Sequence, residues 1–171
     1  MKTKAESPRS LLALEVLQQF RLIYGSMRQY FRLVEERCGM SGSQMWVLQE
    51  VQRTPEIGIN ELAMRMGVHQ STCSLLVDKL VTQGYLVKNR QSADQRRVGL
   101  CLTETGLNAL AALPGPAEGI LPAALAELPD VALKILHLNL NELIRNLPSK
   151  DSACAGTPLA EITESPRPKD E

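Results

Sequence analysis

Asn60-Glu61-Leu62-Ala63-Met64-Arg65-Met66-Gly67-Val68-His69-Gln70-Ser71-Thr72-Cys73-Ser74-Leu75-Leu76-Val77-Asp78-Lys79-Leu80 is the stretch that decides the fold. It reads as a short helix from Glu61 to Met66, a turn at Gly67-Val68-His69, and a second helix from about Gln70 to Gln83. A turn of three or four residues containing Gly is what joins the two helices of a helix-turn-helix unit. Leu62, Ala63 and Met66 can face Val68, Cys73, Val77 and Leu80 across a seam of small and medium apolar side chains. That packing leaves Gln70, Ser71, Thr72 and Ser74 pointing outward at the start of the second helix. Short donors and acceptors at the N-terminal end of such a helix suit base edges in a major groove, and the free N–H groups suit a phosphate. Read one at a time, the same residues are ordinary cap and first-turn residues.

Beyond Gly84, Leu86-Val87-Lys88-Asn89-Arg90 and Val98-Gly99-Leu100-Cys101-Leu102 read as two short strands joined by a polar tip. The tip, Ser92-Ala93-Asp94-Gln95-Arg96-Arg97, carries a carboxylate two residues before an arginine. A guanidinium braced by that carboxylate has the shape to enter a minor groove, where negative potential is concentrated. The competing reading is an exposed ion pair worth under about 1 kcal/mol.

The order helix, Gly turn, helix, strand, polar loop, strand, with Asp94-Gln95-Arg96 followed by Leu102-Thr103-Glu104-Thr105-Gly106, resembles the MarR family of winged helix-turn-helix regulators. The resemblance implies a mainly α fold with a small β-hairpin wing, flanked by N- and C-terminal dimerisation helices. It implies a homodimer on a pseudo-palindromic site in double-stranded DNA, repression of transcription, and release by a small effector. Arg96 would be the minor-groove arginine and Asp94 its brace. Gln70, Ser71, Thr72 and Ser74 would meet bases and phosphates, and Arg65, Lys88 and Arg97 the backbone. His69 stands where the family usually has Ser as N-cap, and it would contact phosphate instead. The break at Leu113-Pro114-Gly115-Pro116 falls where many members have an unbroken helix. The effector, anionic or aromatic, would sit near Tyr24, Met27, Arg28 and Trp46, with Arg28 facing its charge. The other reading of the same residues is Tyr24, Met27 and Trp46 as ordinary core and Arg28 as a solvated side chain.

Outward from the centre, Ser7-Pro8 starts a helix of about seven turns whose apolar stripe runs from Leu12 through Val16, Phe20, Ile23, Met27, Tyr30 and Phe31 to Val34. It ends near Cys38-Gly39 and is too long to be covered by one small domain. Ser41-Gly42-Ser43-Gln44 has capping-box spacing and opens a second helix that Thr54-Pro55 ends. Ile57-Gly58-Ile59 suits a small edge strand, and Asn60 an N-cap. Thr103 caps a helix broken at Pro114 and Pro116, helical pattern returns from Leu121 to Glu127, and the last helix, from Asp130 to Leu147, is apolar on more than one face. The organisation expected is a disordered 1–6, a dimerisation helix over 7–40, a winged domain over 41–106, dimerisation helices over 107–147 and a disordered tail over 148–171.

Charge and composition limit the alternatives. The chain is neutral overall, but Arg53 to Thr103 holds seven basic residues against four acidic ones, a local excess of +3. Four cysteines without CxxC spacing read as reduced thiols of a cytoplasmic protein, and the two histidines have no ligand-spaced companion for a metal. No apolar run is long enough for a membrane span. No phosphate loop, His-carboxylate constellation or nucleophile elbow suggests an enzyme, and no cofactor is expected. Two other readings remain: a winged protein-interaction module without specific DNA binding, and a redox-responsive regulator.

Overall fold

A computed structural model describes residues 7–90 and 98–163. The proposed wing tip, with Asp94, Arg96 and Arg97, lies outside the described residues, as do 1–6 and 164–171. Helix α1 (Pro8–Cys38) starts where Ser7 Oγ accepts the Ser10 N–H and ends at Gly39, whose φ of 68° closes the last turn. Its C-terminal part packs Met27 and Val34 inward, while Leu12, Val16, Phe20 and Ile23 of the preceding turns are exposed.

Helix α2 (Gly42–Arg53) is the hub. Its capping box is complete: Gln44 N–H donates to Ser41 Oγ, and Ser41 N–H donates to Gln44 Oε1 at 3.0 Å. Gly42 is required by proximity, since a Cβ there would meet the Phe31 ring at 2.7 Å. Met45, Val47, Leu48 and Val51 are buried, and the core extends from them to the two helices that follow.

Those helices are α3 (Ile59–Met66) and α4 (Gln70–Thr82), joined through Gly67 at φ 64°. The cap of α3 is Gly58, not Asn60, because the helix begins at Ile59. Ile57 contributes only a single bridge, to Leu100, in place of an edge strand. Strands β1 (Leu86–Arg90) and β2 (Val98–Leu102) pair antiparallel with Leu86 opposite Leu102 and Val87 opposite Cys101. Leu86 and Leu100 anchor the hairpin in the core.

Helix α5 (Glu104–Ala111) gives way to an irregular 112–119, and Tyr30 Oη donates to Pro116 O at 2.7 Å, tying that break to α1. Helix α6 (Ile120–Ala126) follows, then α7 (Asp130–Arg145). The apolar pattern of α7 predicts burial on more than one face, yet none of its residues is buried; Val131 is 68% exposed and Leu138 66%. Among the described residues, nothing else lies against it closely enough to cover it.

The C-terminal segment departs most from expectation. Low apolar content predicts a disordered tail from residue 148, but Ser152–Gly156 forms a 3-10 turn and α8 (Leu159–Thr163) follows. Gly156, Pro158 and Ala160 are buried against the body of the protein. A few small residues suffice because the groove that receives them is already formed by α1 and α2.

Candidate nucleic-acid interface

Packing of α3 on α4 sets the exposed face of α4. Cys73, Val77 and Leu80 are fully buried against Leu62, Ala63 and Met66, and the Cys73 thiol donates to Ile59 O at 3.8 Å. On the opposite side Gln70 and Ser71 are exposed, and Thr72 and Ser74 are half-buried. The most exposed apolar residue there is Leu75, at 72%. Leu75 lies one turn beyond Ser71 on the same face. Sequence reasoning missed it because apolar residues sit on every side of this helix; only its exposure distinguishes it. A branched methyl group at that place can meet a thymine methyl.

The N-terminus of α4 is capped by the backbone of His69 without any side-chain cap, so the imidazole does not replace the usual serine hydroxyl. His69 is exposed toward solvent on one side and lies against Gly156 on the other. Its own N–H donates to Gly156 O at 3.0 Å.

Two of the cations expected to meet the DNA backbone are engaged within the protein. Arg65 Nη2 is 2.6 Å from Glu61 Oε1, while Nη1 donates to Thr54 Oγ1 at 2.7 Å and lies 3.8 Å from Glu50 Oε2. Glu50 is itself buried and also accepts from Arg53 at 2.9 Å. Arg65 therefore braces α3 on the end of α2, a role its place in the sequence did not suggest. Lys88 pairs with Asp78 of α4 at 2.6 Å, which partly neutralises it.

The wing's base is held by Thr103. Its Oγ1 donates to Gly84 O at 2.7 Å and caps α5 by accepting the Gly106 N–H at 3.1 Å. Gly106 must lack a side chain, because a Cβ would collide with the Tyr85 carbonyl. This is the physical content of the Leu-Thr-x-x-Gly spacing.

The proposed effector residues are dispersed. Tyr24 and Arg28 share a shallow groove on α1 with Arg32 and Glu36, the Arg28 guanidinium 5.8 Å from the Tyr24 ring centroid. Met27 is buried and outside that groove, and Trp46 lines a separate cavity between α1, α2 and α8. Tyr24, Met27, Arg28 and Trp46 thus do not form one pocket. Tyr24 and Arg28 face one side of α1, Met27 another, and Trp46 belongs to α2, a separation that helical spacing alone did not resolve.

Burial pushes the Cys73 thiol up to about 11 and raises that of Cys38 as well. Desolvation and the adjacent Asp151 carboxylate raise Cys154. None of these three environments stabilises a thiolate, which disfavours a redox trigger. Among the described residues no group of three His, Cys, Asp or Glu side chains could hold a metal ion, and no helix is long and apolar enough to cross a membrane.

Comparison with known proteins bears on this unit directly. Residues 39–97 match the family model of the MarR family. This segment is similar to the winged helix of that family. Over 71 residues the chain is 28% identical to the HTH-type transcriptional repressor MdtR of Bacillus subtilis, covering 42% of this chain and 46% of MdtR. It is 31% identical over 62 residues to the HTH-type transcriptional regulator SarZ of Staphylococcus haemolyticus, covering 36% and 42%. The chain spans about half the length of the curated relatives it matches. Among solved structures, YusO of Bacillus subtilis superposes with a TM-score of 0.52 at 20% identity, covering 83% of this chain and all of YusO (100%). A mutant MarR of E. coli complexed with operator DNA gives 0.50 at 20% identity, covering 75% and 95%. These structural likenesses establish a shared fold that extends well beyond residues 39–97.

Proposed function

We propose that the chain is a sequence-specific regulator of transcription that binds double-stranded DNA as a homodimer. In this reading α4 enters the major groove, with Gln70, Ser71, Thr72, Ser74 and Leu75 toward the bases. His69 approaches a phosphate, and the wing brings Arg96, braced by Asp94, to the minor groove with Arg97 on the backbone. Repression is the favoured outcome, since MdtR is named a repressor. A small anionic or aromatic effector near Tyr24 and Arg28 would release the DNA, and a cytoplasmic location follows from the activity.

The observation that carries the reading is the polarity of α4. One side is locked into the core by Cys73, Val77 and Leu80, and the other offers Ser71 and Leu75 to solvent beside a two-stranded hairpin. Dimerisation is supported by the exposed apolar faces of α1 and α7, which include Leu12, Phe20, Ile23, Ile135 and Leu138. Such surfaces mark association sites.

The deciding experiment is fluorescence anisotropy with duplexes from the region upstream of the protein's own gene, at several salt concentrations and with Arg96→Ala. The expected result is saturable binding to one palindromic site, weakened by salt and by the substitution, the latter by about 1–3 kcal/mol. Binding no better than to random duplex, and indifferent to Arg96, would favour a winged protein-interaction module.

A further inference from the structure

The segment after residue 147 makes three separate attachments to the body of the protein. Gly156 O accepts the backbone N–H of His69, the N-cap of α4, at 3.0 Å. The approach is so close that a Cβ at Gly156 would collide with the His69 imidazole. Pro158, Leu159 and Ala160 lie in the cleft lined by Phe31, Gly42 and Trp46, and the cavity left there is about 20 Å³, room for roughly one water. Ser41 Oγ donates to Glu161 Oε1 at 3.3 Å, placing a carboxylate at the N-terminus of α2. Asp151 adds a second carboxylate, capping the 3-10 turn by accepting the Ala153 N–H at 3.0 Å.

A backbone carbonyl on the N-cap N–H of a helix occupies the place a phosphate oxygen takes at a helix N-terminus, where N–H groups and the helix dipole both favour an anion. Here the helix is the one proposed to read DNA. The same segment also carries the Asp151 and Glu161 carboxylates, and like charges oppose the approach of a polyanion. We infer that residues 152–163 are an intramolecular strap that competes with DNA phosphate for the N-terminal end of α4. The docked form binds DNA weakly, and release of the strap accompanies binding. This inference rests on the DNA-binding reading of α4. It adds that the chain supplies its own competitor for that site.

Gly156→Val in the full chain tests it, because the added side chain meets His69 while the core residues of α2, α3 and α4 stay untouched. A strap docked about 90% of the time lowers apparent affinity about tenfold, so the variant is expected to bind the same promoter-region duplex about tenfold more tightly than wild type. A second measurement uses the unaltered protein: hydrogen exchange of residues 152–163 and of the His69 amide, with and without saturating duplex. Exchange within 152–163 is expected to accelerate when DNA is bound. Equal affinity of variant and wild type, or slower exchange of 152–163 on DNA, overturns the strap and leaves the DNA reading standing. Failure of both proteins to bind any duplex overturns the DNA reading and the strap with it.

Discussion

Lys88 of β1 reaches across to α4, where its Nζ lies 2.6 Å from Oδ1 of Asp78. The pair joins the base of the wing to α4, and both members are substantially exposed, so its contribution to stability is under about 1 kcal/mol. Its larger consequence is electrostatic, because Asp78 withdraws a cation from the surface that would face phosphates. Asp78→Asn should free Lys88 and remove a repulsive charge together. DNA affinity measured by anisotropy is expected to rise several-fold, with the salt slope steeper by about 1. Unchanged affinity would place Lys88 away from the DNA backbone.

Thr103 and Gly106 hold the wing to the body through backbone groups. Thr103→Val removes the cap of α5 and the bond to Gly84 O, and should cost about 1–2 kcal/mol in urea unfolding. Gly106→Ala drives a methyl group into the Tyr85 carbonyl and should cost about 1–3 kcal/mol. A neutral result for Gly106→Ala would mean that the chain can shift at Tyr85 without loss.

Alkaline stability should report on Cys73. Its thiol titrates at about 11 in the folded protein, against 9.0 for the ordinary group, because burial disfavours the thiolate. Between those values the folded state holds the proton more tightly than the unfolded state, so stability is fully present below about pH 9 and falls as pH rises toward 11. The loss at the top of that window is on the order of 2 kcal/mol. Comparison of unfolding free energies across pH 8 to about pH 11 for wild type and Cys73→Ala is the check. The variant should start less stable and show a shallower decline; parallel curves would exclude Cys73 as the titrating group. Tyr30, raised to about 12 by burial with smaller contributions from Cys38 and Glu118, adds a decline of the same sign at higher pH.

Association through α7 is testable by charge. Ile135 and Leu138 are 54% and 66% exposed in the single chain, so Glu at both positions should leave the fold intact while preventing burial against a second copy. Light scattering is expected to give a dimer for wild type and a monomer for the double variant, with the helical circular dichroism signal little changed. A wild-type monomer would exclude a second copy as the cover for these residues.

Much of the fold was legible because its signals are local. Ser7-Pro8, the Ser41–Gln44 capping box, Gly39 and Gly67 each act within one helical turn, and the structure places helix ends at all of them. Asn60 failed as a cap because helix formation started at Ile59, one residue after Gly58. The candidate interface was only partly legible. Arg65 is expected at the DNA backbone, and only the structure shows Glu50, Glu61 and Thr54 around its guanidinium. Leu75 drew no notice in the sequence, and the residues assigned to an effector proved to be divided between two faces of α1 and, for Trp46, α2.

By itself the sequence determined the order and type of the elements, the helix-turn-helix, and the hairpin that follows it, since periodicity, caps and turn glycines act between residues close along the chain. Tertiary structure alone decided which charges are free, which apolar residue of α4 meets solvent, and where the chain beyond residue 147 goes. Those outcomes depend on groups far apart in sequence, such as Lys88 with Asp78 and Gly156 with His69, whose meeting no local pattern encodes. A segment with little to bury still folds when a groove made by α1 and α2 is waiting for its Pro158 and Ala160.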